Sequence, residues 1–306
     1  MRRVLVPLDG SPEAASILSE AKNLAGPRGE LVLLHDAIGS SWNGTRHGVA
    51  ESEAVRGALE DLEREAQPLR DQGMEVEIHA LVMTDPAQAI DAAIRIYHPD
   101  VVACSTHGDG PLGRLLRGGV AWRALAGSSV PMLVKHTDAR VPYRSMIAPE
   151  PQIMVPLDGS EYAEKALDLA QQLADEWRAS IWLVRVVSDN SASPGAHAAA
   201  DSTTRSLDEV RLSVKAYLNE LGRRLPGEVN TRVLYGPAVE RLAGAVRQWS
   251  IGHVVMTSHG RTGLRRALLG SVADGLIQSV DCPVIVIPAH ALEARSEISP
   301  LGEVHA

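Results

Sequence analysis

The sequence predicts an α/β protein made of two tandem domains, each a five-stranded, mostly parallel sheet with helices on both faces. Three observations carry that reading. The hexapeptide Val-Pro-Leu-Asp-Gly-Ser stands at Val6 to Ser11 and again at Val155 to Ser160. Farther on, Ser105-Thr106-His107-Gly108 answers Thr257-Ser258-His259-Gly260, and Val130-Pro131 answers Cys282-Pro283, at nearly the same interval. A repeat that long marks a duplicated domain rather than a short motif. Within each half, apolar runs alternate with stretches of helical period, the pattern that gives parallel strands joined by right-handed crossovers.

The first strand of each half is a short apolar run, Val4 to Leu8 or Ile153 to Leu157, stopped by Asp-Gly-Ser. Apolar residues then recur at Ala14, Ile17, Leu18, Ala21, Leu24 and Ala25, and at Ala163, Ala166, Leu167, Ala170, Leu173 and Ala174. This spacing predicts one continuous helix per half, capped by Ser11 or Ser160, with Pro12 at the first helical position of the first copy. Leu31 to Leu34 and Ile181 to Val184 are unbroken apolar runs, as expected of strands covered on both faces, and end in His35-Asp36 and Arg185-Val186. The glycine-rich stretch 39–49 and the Ser/Ala/Gly-rich stretch 188–204 read as loops. Helices over about 51–72 and 207–224 lead into strands over 75–82 and 230–235. Pro86 and Pro237 then open further helices. Val101 to Cys104 and Val254 to Met256 are the fourth strands; Pro131 to Lys135 and Pro283 to Ile287 are the fifth.

Composition limits the function. The 306 residues are 45% hydrophobic and 22% charged, with no phenylalanine and only 3% aromatics, so the cores must be aliphatic. A formal net charge of -8 and a pI near 5.8 oppose general nucleic-acid binding, which needs a basic surface. The two cysteines, Cys104 and Cys282, form neither a disulfide framework nor a metal pattern and fit a reducing compartment. The apolar stretch behind Arg2 and Arg3 is too short for a signal peptide, and charges interrupt every candidate membrane span. A cytoplasmic protein that does not engage membranes is expected. Pro142, Pro149 and Pro151 punctuate an aperiodic stretch, so the expected boundaries are a first domain at 1–138, a linker at 139–151, a second domain at 152–289 and a loosely ordered tail at 290–306.

Ligands of such sheets bind beyond the carboxyl ends of the strands. Three segments converge there in each half: the loop after the first strand, the end of the second strand and the loop after the fourth. The richest is His253 to Val272, where a strand runs into Gly260, then Arg261, Arg265 and Arg266, then Gly270-Ser271 before a helix. Gly260 lets a ligand approach the backbone, and Gly270, Ser271 and Val272 would aim N–H groups at a phosphate. The alternative is that Ser271 caps its helix, with Asp274 completing a capping box. Asp158 could accept from ribose hydroxyls or close its own Asp-Gly-Ser turn. Spacing leaves both pairs of readings open. His107 and His259 lack a carboxylate or serine at triad spacing, and no histidine cluster suits a metal. Neither a P-loop nor a G-x-G-x-x-G after the first strand occurs, so a nucleotide would be held rather than processed by the usual lysine chemistry.

On these residues the chain resembles a tandem universal stress protein, from the two Val-Pro-Leu-Asp-Gly-Ser openings to the closing Pro-Met-Leu-Val and Pro-Val-Ile-Val-Ile strands. ATP-binding members carry G-x2-G-x9-G-[ST]; Gly260, Gly270 and Ser271 fit its latter part, with Thr257 in place of the first glycine. The resemblance implies Rossmann-like domains of the adenine nucleotide alpha hydrolase-like type. It implies a second-half site in which Asp158 meets ribose, the backbone at Val186 meets adenine, and Gly260, Gly270, Ser271 and Val272 meet the phosphates, with Thr257 near the ribose and Arg261 and Gly263 also in the nucleotide site. The weaker first-half counterparts are Asp9, Asp36, Ser105, Gly108, Gly118, Gly119 and Val120. There Gly119 replaces the serine, and Asp109 stands where the second half has Arg261, so an acid would face phosphate. The family further implies ATP or ADP, with or without Mg2+, pairing of the fifth strands into an intramolecular pseudo-dimer, and association into a homodimer. The function expected is nucleotide-dependent regulation or interaction in the stress response, without dedicated enzyme activity. The alternatives are a slow ATPase or nucleotidyl transferase in the same crevice, or a nucleotide-free interaction protein.

Overall fold

A computed structural model describes residues 2–37, 51–83, 85–105, 128–136, 151–187, 207–258, 269–289 and 291–292. The first half supplies β1 (Arg3–Leu8), α1 (Pro12–Ala15), α2 (Leu18–Ala25), β2 (Glu30–Asp36), α3 (Glu51–Asp71), β3 (Glu75–Leu81), α4 (Pro86–Tyr97), β4 (Val101–Ser105) and β5 (Met132–Lys135). The second supplies β6 (Gln152–Pro156), α5 (Glu161–Glu164), α6 (Ala166–Trp177), β7 (Ser180–Val187), α7 (Leu207–Arg224), β8 (Val229–Tyr235), α8 (Ala238–Gln248), β9 (His253–Thr257), α9 (Ser271–Ser279) and β10 (Val284–Ile287). Each half therefore contributes five strands to α/β layers, as the duplicated pattern predicts.

The described residues form two compact units, those from 2 to 136 with 269 and those from 283 to 292 in one, and 151–258 with 270–282 in the other. In the first, the strand order is β3-β2-β1-β4-β5-β10, and in the second β9-β6-β7-β8. All pairings among β1 to β5 and among β6 to β9 are parallel. β10, the fifth strand of the second half, belongs to the first unit, where it runs antiparallel to β5 with Ile285 opposite Leu133. Both strands are aliphatic and buried except Lys135, so the pairing removes an apolar edge that would otherwise seek another chain.

The central strands are covered on both faces, which is why Val4 to Val6, Leu31 to Leu33, Ile153 to Val155 and Val254 to Val255 are all at most 1% exposed. Two expectations need correction. The helix after each Asp-Gly-Ser is broken after one turn, at Ser16-Ile17 and at Lys165. Ser16 Oγ donates to the Glu13 carbonyl at 2.6 Å, and the Ile17 and Lys165 amides reach back only three residues, to Ala14 and Tyr162. Local i to i−3 bonds thus replace the α-helical ladder there. The tail also begins with order: Ala291 is fully buried and the Leu292 amide donates to the Pro288 carbonyl. Residues 139–150 of the expected linker and residues 293–306 lie outside the described residues.

One charge sits inside the first unit. Glu20 of α2 is 1% exposed, and its carboxylate lies 3.4 Å from Nζ of Lys135 at the end of β5. Burial raises the Glu20 pKa, and Lys135 opposes that rise. The corresponding residues of the second half are Leu169 and Ile287, both buried. Removing one partner of such a pair is costly, whereas replacing both by apolar groups is often neutral. Lys135→Met is therefore expected to lower unfolding stability by about 3–5 kcal/mol. The double change Glu20→Leu with Lys135→Ile should restore the original value in denaturant titration.

The thiols give a second check. Cys104 lies in β4, and desolvation pushes its pKa up to about 12; Cys282 is 3% exposed. Neither should react with a thiolate-selective reagent at pH 8 until the chain is unfolded.

Candidate functional site

Both first strands end in the same turn. Asp158 Oδ1 accepts from the Ser160 amide at 3.0 Å and from Ser160 Oγ at 2.6 Å, while Ser160 Oγ accepts from the Ala163 amide at 3.2 Å. In the first unit, Asp9 Oδ1 accepts from the Ser11 amide and hydroxyl at 3.1 and 2.6 Å, and Ser11 Oγ accepts from the Ala14 amide. In each copy the turn closes through one oxygen of the aspartate. Asp9 Oδ2 is buried with no hydrogen-bond partner. Gly10 and Gly159 have φ of +78° and +83°, which only glycine adopts without strain.

In the second unit, β6 lies beside β9, with Met154 level with Val254. Carrying that register to the strand ends brings Asp158 to the same edge as Thr257 and Ser258, both buried. β7 flanks β6 on its other side and carries Val186, paired with Leu234, to that edge. The Gly270 amide donates to the Ser258 carbonyl at 2.7 Å, tying the end of β9 to the start of α9. Gly270, not Ser271, is the N-cap of α9, and no side chain caps the helix. The alternative Ser271–Asp274 capping box is thus overturned. Asp274 instead accepts from Gln278 Nε2, at a position one turn away that its carboxylate reaches easily. The Gly270 amide is committed to Ser258, so the donors that α9 can aim outward begin at Ser271 and Val272.

In the first unit, Asp36 ends β2 and its Oδ1 accepts from the Met83 amide at 3.2 Å, bracing the neighbouring loop. Ser105 ends β4 opposite Lys135. Gly108, Gly118, Gly119 and Val120, and in the second half Gly260, Arg261 and Gly263, lie outside the described residues, as do His107 and His259.

One constellation escaped the sequence reading. The Arg185 guanidinium, at the end of β7, lies against Gly159 and stands 5.5 Å from the centre of the Tyr217 ring on α7. The Tyr217 hydroxyl donates to Glu164 Oε1 at 2.9 Å. Burial first, then Glu164, pushes the Tyr217 pKa well up, so the phenol stays a donor. A cation in an otherwise apolar strand was the visible signal; its partners come from separate helices and share no spacing. Among the described residues, no group of three His, Cys, Asp or Glu side chains could hold a metal, and no helix is long and apolar enough to cross a membrane.

A duplicated α/β unit with this turn and this edge invites comparison with known proteins. The profile described as "Universal stress protein family" matches residues 1–136 and 151–288. The chain belongs to the universal stress protein family. It is similar to a universal stress protein of Methanocaldococcus jannaschii, 28% identical over 138 residues, covering 44% of this chain and 81% of that one. A universal stress protein of Mycobacterium tuberculosis is 30% identical over 194 residues, 61% of each chain. Among solved structures, a universal stress protein from Archaeoglobus fulgidus shares the fold with a TM-score of 0.64 at 20% identity, covering 94% of this chain and 96% of that one. A putative universal stress protein from Pseudomonas aeruginosa has a TM-score of 0.61 at 20% identity, covering 97% and 98%.

The cap geometry separates the two serines. Ser160→Ala removes a cap and a partner of Asp158 and should cost about 1 kcal/mol in thermal or denaturant unfolding. Ser271→Ala, at an exposed position that caps nothing, should change stability by less than about 0.5 kcal/mol.

Proposed function

We propose that this universal stress protein binds ATP or ADP in its second crevice and acts as a nucleotide-dependent regulatory or interaction protein of the stress response, not as a dedicated enzyme. The observation that carries the reading is the start of α9. Its first turn has no side-chain cap and stands at the edge that also holds Asp158. Uncapped amides at a helix N-terminus suit phosphate, through both hydrogen bonds and the helix dipole. Ser271 and Val272 would supply amides to the phosphates, together with Gly260, Gly263 and Arg261. Asp158 would take the ribose through the oxygen not used in its turn, and the Val186 backbone would take adenine. Gly270, whose amide serves Ser258, would contribute its lack of a side chain. Mg2+ would arrive on the phosphates, since the described residues offer it no cage.

The first crevice, with Asp9, Asp36, Ser105, Gly108, Gly118, Gly119 and Val120, is the weaker site in this reading. Asp36 is already engaged by Met83, and the sequence puts Asp109 rather than arginine in the phosphate loop. The domains would run over 1–138 and 152–289, joined at 139–151, in a cytoplasmic protein able to form homodimers.

Protein purified under native conditions should release ATP or ADP to mass spectrometry, and calorimetry should show binding that Asp158→Ala weakens at least about tenfold, the worth of one charge-assisted hydrogen bond. A chain that is persistently empty and indifferent to ATP contradicts the proposal. Turnover that depends on Asp158 would favour an ATPase instead.

A further inference from the structure

We propose that Gly275 is a positioning residue of the second crevice: by letting α9 seat against Val239 of α8, it sets where the Ser271 and Val272 amides stand. The inference rests on the nucleotide reading above and adds to it the contact that aims the helix.

Both helices begin at the same edge of the second unit. α8 starts at Ala238, just beyond the end of β8 at Tyr235, and the Gly236 amide between them donates to the Val187 carbonyl at the end of β7. α9 starts at Ser271, with the Gly270 amide tied to the Ser258 carbonyl beyond β9. Val239 is thus in the first turn of α8 and Gly275 one turn into α9, close to both starts. A Cβ on Gly275 would stand 2.6 Å from Val239 Cγ2, 3.0 Å from Cγ1 and 3.4 Å from Cβ. The shortest of these lies far inside carbon–carbon contact distance, so α8 and α9 pack this closely only because no side chain intervenes. Valine does not yield easily, since its branched side chain has one strongly preferred rotamer in a helix.

Helix propensity points the other way. Alanine is the best helix former and glycine among the worst, so a glycine in the middle of the nine-residue α9 weakens the helix unless a close contact requires it. The first half carries Arg123 at the interval that matches Gly270-Ser271 with Gly118-Gly119. The copy with the weaker site in the nucleotide reading therefore lacks this glycine. One turn of helix moves as a body, so a displacement of about 1 Å at Gly275 would carry the Ser271 and Val272 amides off the phosphates they must meet at hydrogen-bond range.

The test is calorimetric titration of the full chain with ATP beside thermal unfolding, with the Asp158→Ala chain run in parallel to isolate the contribution of the first crevice. Gly275→Ala should weaken ATP in the second crevice at least about tenfold, the loss expected when charge-assisted hydrogen bonds are misaligned. It should also lower Tm, against alanine's propensity. Val239→Ala removes both close methyl groups and leaves the two Cβ positions at 3.4 Å, an ordinary contact. In the Gly275→Ala background it should therefore bring ATP affinity back to within about threefold of wild type, a recovery that loss of helix stability alone would not give. If Gly275→Ala binds ATP as the wild type does, raises Tm, or loses ATP that Val239→Ala fails to restore, the assignment of Gly275 is overturned while nucleotide binding stands. If the wild-type chain binds no nucleotide at all, the functional reading fails and this inference fails with it.

Discussion

Each half depends on how the chain leaves a strand buried on both faces and enters a helix within three residues. Such an exit exposes amides that must be satisfied at once. Asp-Gly-Ser solves this with a single relay: one carboxylate oxygen holds the serine amide and hydroxyl, and the serine oxygen holds the amide of the third residue of the next helix. Glycine supplies the backbone angle that keeps the three residues together. Closure uses one oxygen of the aspartate, at the edge where ligands of parallel sheets bind. Of the two readings of Asp158 left open by spacing, the turn-closing one is observed.

The copies then part company through what was placed around an unchanged turn. The first unit hides an ion pair, Glu20 with Lys135, where the second has Leu169 and Ile287. The second lays a guanidinium on its glycine where the first has a carboxylate and an imidazole. These are exchanges of charge character on a retained backbone. Duplication permits them, since each copy can change its surroundings while the retained turn keeps the fold.

The architecture was largely legible because its signals are local. The doubled hexapeptide, the aliphatic runs of β1, β2, β6 and β7, and the prolines opening α1 and α4 each report on a few consecutive residues. The break between α1 and α2 was not legible, because the apolar period continues unbroken through Ser16-Ile17 while the backbone there shifts to i to i−3 bonding, as it does at Lys165 in the second half. The start of α9 was left open between two readings for a related reason. Serine next to a glycine looks like a cap, but the bond from Gly270 to Ser258 moves the helix start back by one residue. The Arg185, Tyr217 and Glu164 constellation was invisible in principle, since it joins β7, α7 and α5 through tertiary packing alone.

The exchange of β10 into the first unit carries a consequence for biogenesis. On the ribosome, β1 to β5 emerge long before Val284–Ile287. Throughout that interval the strand Met132–Lys135 has its edge uncovered, and only the last strand made gives it a neighbour. The first unit is therefore begun first and completed last. A nascent or prematurely terminated chain displays a sticky ribbon of Met, Leu and Val that chaperones and proteases can recognise. Completion of the sheet covers that ribbon.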